Sequence, residues 1–162
     1  MKKLLFFTWM LIAGSAHLAG QAQPQDSAKP STGYSGMYTF LRDGEFVQVS
    51  VEDAGKVSGF VSRYGDLDSD RGAFLDQFFK VGKLDGKNLT FTTETVHGAW
   101  YEFKGTVERG EGKNPGDEAY YVLKGTLTQY TVDVDKKTTS KMREVMFKAF
   151  PQDEGAAPGE KK

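Results

Sequence analysis

The chain reads as an all-β protein, a single up-and-down antiparallel β-barrel of about eight strands, and three observations predict it. Apolar and polar residues alternate with a period of two through most of the stretch from Tyr34 to Phe150, as in strands with one buried face. Turn pairs ending in glycine punctuate that alternation. Asp85-Gly86 and His97-Gly98 divide Val81 to Val107 into three short strands, a meander. The third observation is a weak repeat. Gly59, Gly82, Gly105 and Gly125 fall mid-strand on the inward phase, at spacings of 23, 23 and 20 residues. Glycine weakens a strand, so its recurrence at one phase points to the close backbone approach of a small closed barrel.

The elements follow in order. Met1-Lys2-Lys3, an apolar run from Leu4 to Ala13 and a small, polar stretch ending at Ala22 have the layout of a signal peptide. The apolar run is too short to span a bilayer, and cleavage is placed after Ala22, or alternatively after Gly20. Residues 23–33 form a polar, proline-bearing leader expected to be disordered, as is the tail 151–162, which leaves 34–150 for the barrel. The first strand carries Tyr34, Gly36, Tyr38 and Phe40 on one face and turns at Asp43-Gly44. The second, Glu45 to Glu52, sets Val47, Val49 and Val51 against Gln48 and Ser50. Val57 to Tyr64 is the third. Ala73 to Phe79 is ambiguous, because Phe74 and Phe78 match helical spacing. It is read as a short helical turn or a bulged lead into a fourth strand ending at Leu84. The fifth runs from Asn88 to Val96, the sixth from Ala99 to Arg109, the seventh from Glu118 to about Tyr130 and the eighth from about Ser140 to Phe150. All five prolines lie outside these strands, as ladder hydrogen bonding requires.

Composition excludes several functions. There is no cysteine, hence no disulfide, thiol nucleophile or thiolate metal site. The formal net charge of −1 becomes −3 once residues 1–22, which hold Lys2 and Lys3 and no acid, are removed. Acids and bases are interleaved, so no footprint for nucleic acid exists, and the mature chain has no transmembrane segment. His97 is the one histidine left after cleavage, which rules out a multi-histidine metal centre. Its place beside Gly98 makes it a turn residue rather than a catalytic base.

Certain residues carry a resemblance. Gly36-Met37-Tyr38 is similar to the Gly-x-Trp of lipocalins with Tyr in place of Trp, and the meander resembles the calycin group of lipocalin-like and avidin-like barrels. Gly82-x-Leu84-x-Gly86-x-x-Leu89-x-Phe91, followed by Tyr101-Glu102-Phe103-Lys104-Gly105, looks most like secreted bacterial proteins of lipocalin-like shape. The chain departs from the lipocalin pattern in lacking a Thr-Asp-Tyr motif and a helix after the last strand, and no biotin contacts of avidins can be matched. The resemblance implies a fold and carries no function across.

Candidate sites follow from phase. Tyr38, Phe40, Phe91, Tyr101, Phe103 and Tyr121 take the inward register, either as core or as walls for a small apolar or planar ligand, with Thr93, Thr95 and Gln129 placed to orient it. Asp66, Asp68 and Asp70, alternating on a turn-rich loop, are the one candidate metal site, for calcium. Outward Trp100 and Tyr120, with Phe60, are a candidate patch for self-association or an envelope partner. The reading is an exported, periplasmic or secreted, non-catalytic binding protein without a required cofactor. The alternative is a filled barrel acting through its outer surface, with an enzyme third, since no base, nucleophile and oxyanion site can be assembled.

Overall fold

A computed structural model describes residues 32–152 except Leu67. Residues 1–22, expected to be a signal peptide, nearly all of 23–33 and the tail beyond Gln152 lie outside the described residues. Eight strands follow one another: β1 (Gly36–Thr39), β2 (Phe46–Val51), β3 (Val57–Tyr64), β4 (Phe74–Asp85), β5 (Asn88–Thr93), β6 (Ala99–Arg109), β7 (Tyr121–Val132) and β8 (Thr138–Lys148). Each pairs antiparallel with the next in sequence, in the order β1 to β8. The sheet curls until its edges meet. Tyr38 bridges Ala149, Phe150 N–H donates to the Met37 carbonyl at 2.8 Å, and Lys148 N–H donates to Thr39 Oγ1 at 2.9 Å. This meeting is confined to Met37–Thr39 against Lys148–Phe150, and β8 ahead of it has its ladder partners on β7.

The repeated glycines sit where backbones nearly touch. A Cβ at Gly125 would lie 2.3 Å from the Lys104 carbonyl oxygen and 2.4 Å from the Cα of Gly105, its direct partner across β6 and β7. At Gly59 a Cβ would meet the Gln48 carbonyl oxygen at 1.9 Å. No side chain fits either position, which is the physical content of the repeat.

The ambiguous stretch Ala73 to Phe79 contains no helix. Residues four apart share a face of a strand as well as of a helix, so the Phe74/Phe78 spacing could not distinguish them. Pairing with β3 decides, through Phe60↔Phe78, Val61↔Gln77 and Arg63↔Leu75. A bulge between Phe79 and Val81 then flips the phase. Before it Gln77 is buried and Phe79 half-buried, while after it the buried residue is Leu84, and Val81 is exposed. Several boundaries move, β8 running from Thr138 to Lys148 instead of about Ser140 to Phe150 and β7 ending at Val132. Tyr34 belongs to a 3-10 turn (Thr32–Tyr34), β5 stops at Thr93 so that Thr95 is exposed, the β4–β5 turn is Gly86-Lys87, and β7 begins at Tyr121.

The centre of the barrel is filled by aromatic rings in mutual contact. Phe79 stacks on Phe91 with centroids 4.3 Å apart, Phe91 on Phe103 at 5.3 Å, and Phe103 meets Phe147 at 5.9 Å. Phe40 joins Phe147 to the edge of Tyr101, at 5.2 and 5.3 Å. Valines and leucines from β2, β3, β5, β6 and β7 close around them. Such offset and edge-on pairs add to the area term that already makes large buried rings the main source of core stability.

The two ends of the barrel differ. One, the mouth, carries the loops 40–45, 65–73, 94–98 and 133–137. The other, the base, carries 52–56, 86–87, 110–120, the residues ahead of β1 from 32 and those after β8 up to 152.

Candidate functional site

The mouth is polar where the rest of the interior is apolar. Following each inward phase towards the loop end gives Glu45 beside β2, Arg63 on β3, Gln77 on β4, Thr93 on β5, Tyr101 on β6, Gln129 on β7 and Arg143 on β8. Towards the base the inward positions are Val49, Val57, Leu84 (past the β4 bulge), Leu89, Val107, Leu123 and Phe147, all buried. Seven strands thus each contribute a polar inward side chain at one end.

The ring is knit by hydrogen bonds of two kinds. Arg63, only 3% exposed, donates from Nε to Gln77 Oε1 at 2.7 Å and from Nη1 to the Tyr64 carbonyl at 3.0 Å and Asp66 Oδ2 at 2.9 Å. Gln77, fully buried, passes its amide on to the carbonyls of Ala99 at 2.8 Å and Glu94 at 3.2 Å. Glu45 accepts from Arg42 Nε at 2.8 Å and from the backbone N–H of Arg42 and Tyr64 at 3.1 and 3.0 Å. The Glu45 hydrogen bond holds the Arg42 guanidinium above its ordinary pKa. This half of the ring ties loops to strands and is satisfied within the protein.

The other half is open in its chemistry. Thr93 Oγ1 accepts the Tyr101 N–H at 3.0 Å, Tyr101 pairs directly with Gln129 across β6 and β7, and Arg143 Nη2 donates to Gln129 Oε1 at 3.2 Å. Arg143 Nε is buried and has no hydrogen-bond partner among the described residues. A buried donor left unmade costs about 1–3 kcal/mol, which any acceptor presented to it would recover. Burial pushes the Tyr101 phenol above its ordinary value of 10.0, with Arg63 and Arg143 pulling the other way. The ring is therefore neutral, flanked by two guanidinium groups.

The residues singled out from sequence separate into three groups. Phe40, Phe91 and Phe103 are core, packed on one another rather than around a space. Thr93, Tyr101 and Gln129 meet at the mouth. Tyr38 and Tyr121 lie at the base, where the Tyr38 hydroxyl donates to the Tyr34 carbonyl at 2.7 Å and Tyr121 meets Tyr34 edge-on at 4.9 Å. Thr95 is exposed and takes no part. Missed from sequence were Glu45, Arg63, Gln77 and Arg143. Three of these, Glu45, Arg63 and Arg143, could have been found by extending the valine phases Val47/Val49, Val57/Val61 and Val145/Phe147 by two residues. The fourth, Gln77, lay behind the bulge.

The three aspartates do not converge. Asp66 pairs with Arg63 at 2.9 Å and Arg42 at 3.3 Å, Asp68 with Arg71, and buried Asp70 with His97 Nδ1 at 2.5 Å. Among the described residues no group of three His, Asp or Glu is placed to hold a metal ion. His97 is the turn residue its neighbour Gly98 implies, with φ of 49° and 72° respectively, and its ring fastens the β5–β6 turn to the β3–β4 loop.

Trp100 and Tyr120 do not form one patch. Trp100 stacks on Tyr130 at 4.9 Å, and Tyr120 lies beneath Arg109 at 3.3 Å. Tyr120 adjoins Tyr121, the partner of Arg109, which puts the two rings roughly 30 Å apart along β6 at about 3.3 Å per residue. Phe60 is on another wall, between Phe46 and Phe78 at 5.8 and 5.5 Å.

No protein-family model matches the chain, and no curated protein matches it in sequence. Solved structures do match it in shape. A rhizavidin–biotin complex matches with a TM-score of 0.56 at 12% identity, covering 78% of this chain and 100% of that one. Intact afifavidin in its apo form gives 0.53 at 13% identity, over 78% and 88% of the two chains. Rhizavidin alone gives 0.53 at 11%, over 78% and 89%. With strands, order and closure already in hand, the fold of this chain is that of the calycin-type, avidin-like β-barrels.

Proposed function

We propose that the protein is an exported, non-catalytic binding barrel that holds a small planar molecule with an acidic group at its mouth, against Tyr101, Thr93, Gln129 and Arg143. The observation that carries this reading is the polar ring, and above all the buried Arg143 Nε without a partner. Burying charged and amide groups costs free energy, and well-packed apolar residues in their place are commonly neutral or stabilising. One half of the ring ties loops to strands, whereas Arg143 Nε in the other half finds no acceptor among the described residues. Tyr101, 2% exposed and packed on Phe40, forms the floor of the mouth, and Arg143 offers a fork suited to a carboxylate. The filled centre keeps the ligand near the loops. A barrel of the same fold, rhizavidin, has been solved with biotin.

The test is a calorimetric titration with benzoate, salicylate and indole-3-acetate beside their uncharged amides. The acids are expected to bind and the amides to bind at least about tenfold more weakly, a charge-assisted hydrogen bond contributing about 1.5–3 kcal/mol. Arg143→Gln should bring acids and amides level. Failure of every member to bind the unaltered chain would remove the reading.

A second reading, a filled barrel acting through its outer surface, is favoured by one observation. Phe74, Phe78 and Val81 are 49%, 61% and 62% exposed on the outside of β4, with Phe60 and Tyr64 beside them on β3. If that stripe mediates self-association, Phe78→Ser should lower the sedimentation coefficient at high concentration, and an unchanged value would discard it.

A further inference from the structure

The base holds a separate, half-open cavity of about 160 Å³, lined by three stretches of chain. Residues 33–35, the β6–β7 loop and the segment after β8 meet there. Gln152 N–H donates to the Gly116 carbonyl at 2.8 Å, its Nε2 to the Ser35 carbonyl at 3.1 Å, and Ala119 N–H to the Ala149 carbonyl at 2.8 Å. Tyrosines dominate the walls. Tyr38, Tyr120 and Tyr121 all line the space, Tyr120 and Tyr121 standing edge to face at 4.7 Å. Asp117 is the one charged residue in the lining, which contains no Lys or Arg.

We propose that this cavity is a second ligand site, independent of the mouth, that takes a compact organic cation of the methylated-ammonium class. Size, charge and ring chemistry each point there. A cavity of about 150 Å³ accepts a molecule the size of benzene, so a trimethylammonium head fits within the space at the base. The negative faces of tyrosine rings attract cations, and closely set aromatic walls are how quaternary ammonium groups are recognised. Arg109 demonstrates that attraction on the spot, its guanidinium 3.3 Å from the Tyr120 centroid. It stays out of the lining, held by the carbonyls of Tyr120 and Gly112. Asp117 adds a carboxylate whose Oδ2 is met by neutral donors, the backbone N–H groups of Lys113 and Asn114 at 2.9 and 2.8 Å. A ligand cation would be its countercharge. The Tyr38 hydroxyl, whose O–H donates to the Tyr34 carbonyl, keeps its lone pairs as acceptors.

The experiment compares choline with 3,3-dimethylbutanol, the same shape with carbon in place of the charged nitrogen, by calorimetry and by chemical shifts of the purified chain. Choline is expected to bind at least about tenfold more tightly than its neutral isostere and to shift the amides of Tyr120, Tyr121 and Gln152. Asp117→Asn, which retains an oxygen for the Lys113 and Asn114 N–H groups, should remove most of that preference, and Tyr121→Leu should remove binding of both. Equal binding of the two compounds would overturn the cation assignment. Absence of choline binding at tens of millimolar, or shifts confined to the mouth, would overturn the site, and neither result bears on the carboxylate titrations at Arg143.

Discussion

Gly125 is a single residue on which the close approach of β6 and β7 rests. It pairs with Gly105 so closely that an added methyl would meet the β6 backbone at Lys104 and Gly105. Backbone cannot give way as a side-chain tip can, so Gly125→Ala is expected to lower stability by about 1–3 kcal/mol, read as a fall in the denaturant midpoint. Two tyrosines set the alkaline limit. Burial raises Tyr38 far above its ordinary 10.0 and raises Tyr101 in the same direction. The unfolded chain therefore releases these protons first. The stability they contribute is complete below about pH 10 and declines as the pH climbs past it towards the folded values. Melting temperature should fall steeply above that pH, and Tyr38→Phe should flatten the slope while costing about 1 kcal/mol near neutrality through the lost bond to Tyr34. At the acidic loop each aspartate has its own basic partner, so melting curves in calcium and in chelator should coincide. Asp68→Ala, at an exposed ion pair, should change stability by less than about 0.5 kcal/mol.

Strands were legible to the extent that their periodicity was undisturbed. β3 and β6 match the sequence reading at both ends, because Val57 to Tyr64 and Ala99 to Arg109 alternate without interruption and are bounded by turns. β4 resisted for two reasons. Its Phe74/Phe78 spacing is common to helix and strand, and its bulge moves the inward phase from Gln77 and Phe79 to Leu84. Periodicity locates a face only while no residue is inserted. The same limit governs the site. Thr93, Tyr101 and Gln129 could be placed at the mouth because their strands keep phase, whereas Arg143 was passed over through attention to apolar positions alone. That Tyr38 and Tyr121 sit at the opposite end from Tyr101 follows from strand direction, but not from phase, which assigns a face and no height. The separation of Asp66, Asp68 and Asp70 among different partners was not legible at all. Arg42, Arg63 and His97 reach that loop from three other parts of the chain.

At the scale of the molecule, the barrel is a cylinder filled in the middle and chemically different at its ends. The rings from Phe79 to Tyr101 make the middle rigid and dry, so Phe103→Ala should cost about 3–5 kcal/mol in denaturant unfolding without altering which end a ligand contacts. Polar side chains from seven strands then define the mouth as the place where a ligand can be recognised. The most direct measurement is a residue-by-residue map of amide chemical shifts during titration with a planar carboxylate such as salicylate. The account predicts saturable shifts at Thr93, Tyr101, Gln129 and Arg143 and none along the outer stripe of Phe60 and Phe78. Shifts centred on that stripe, or a mouth that does not respond to any planar acid, would contradict it.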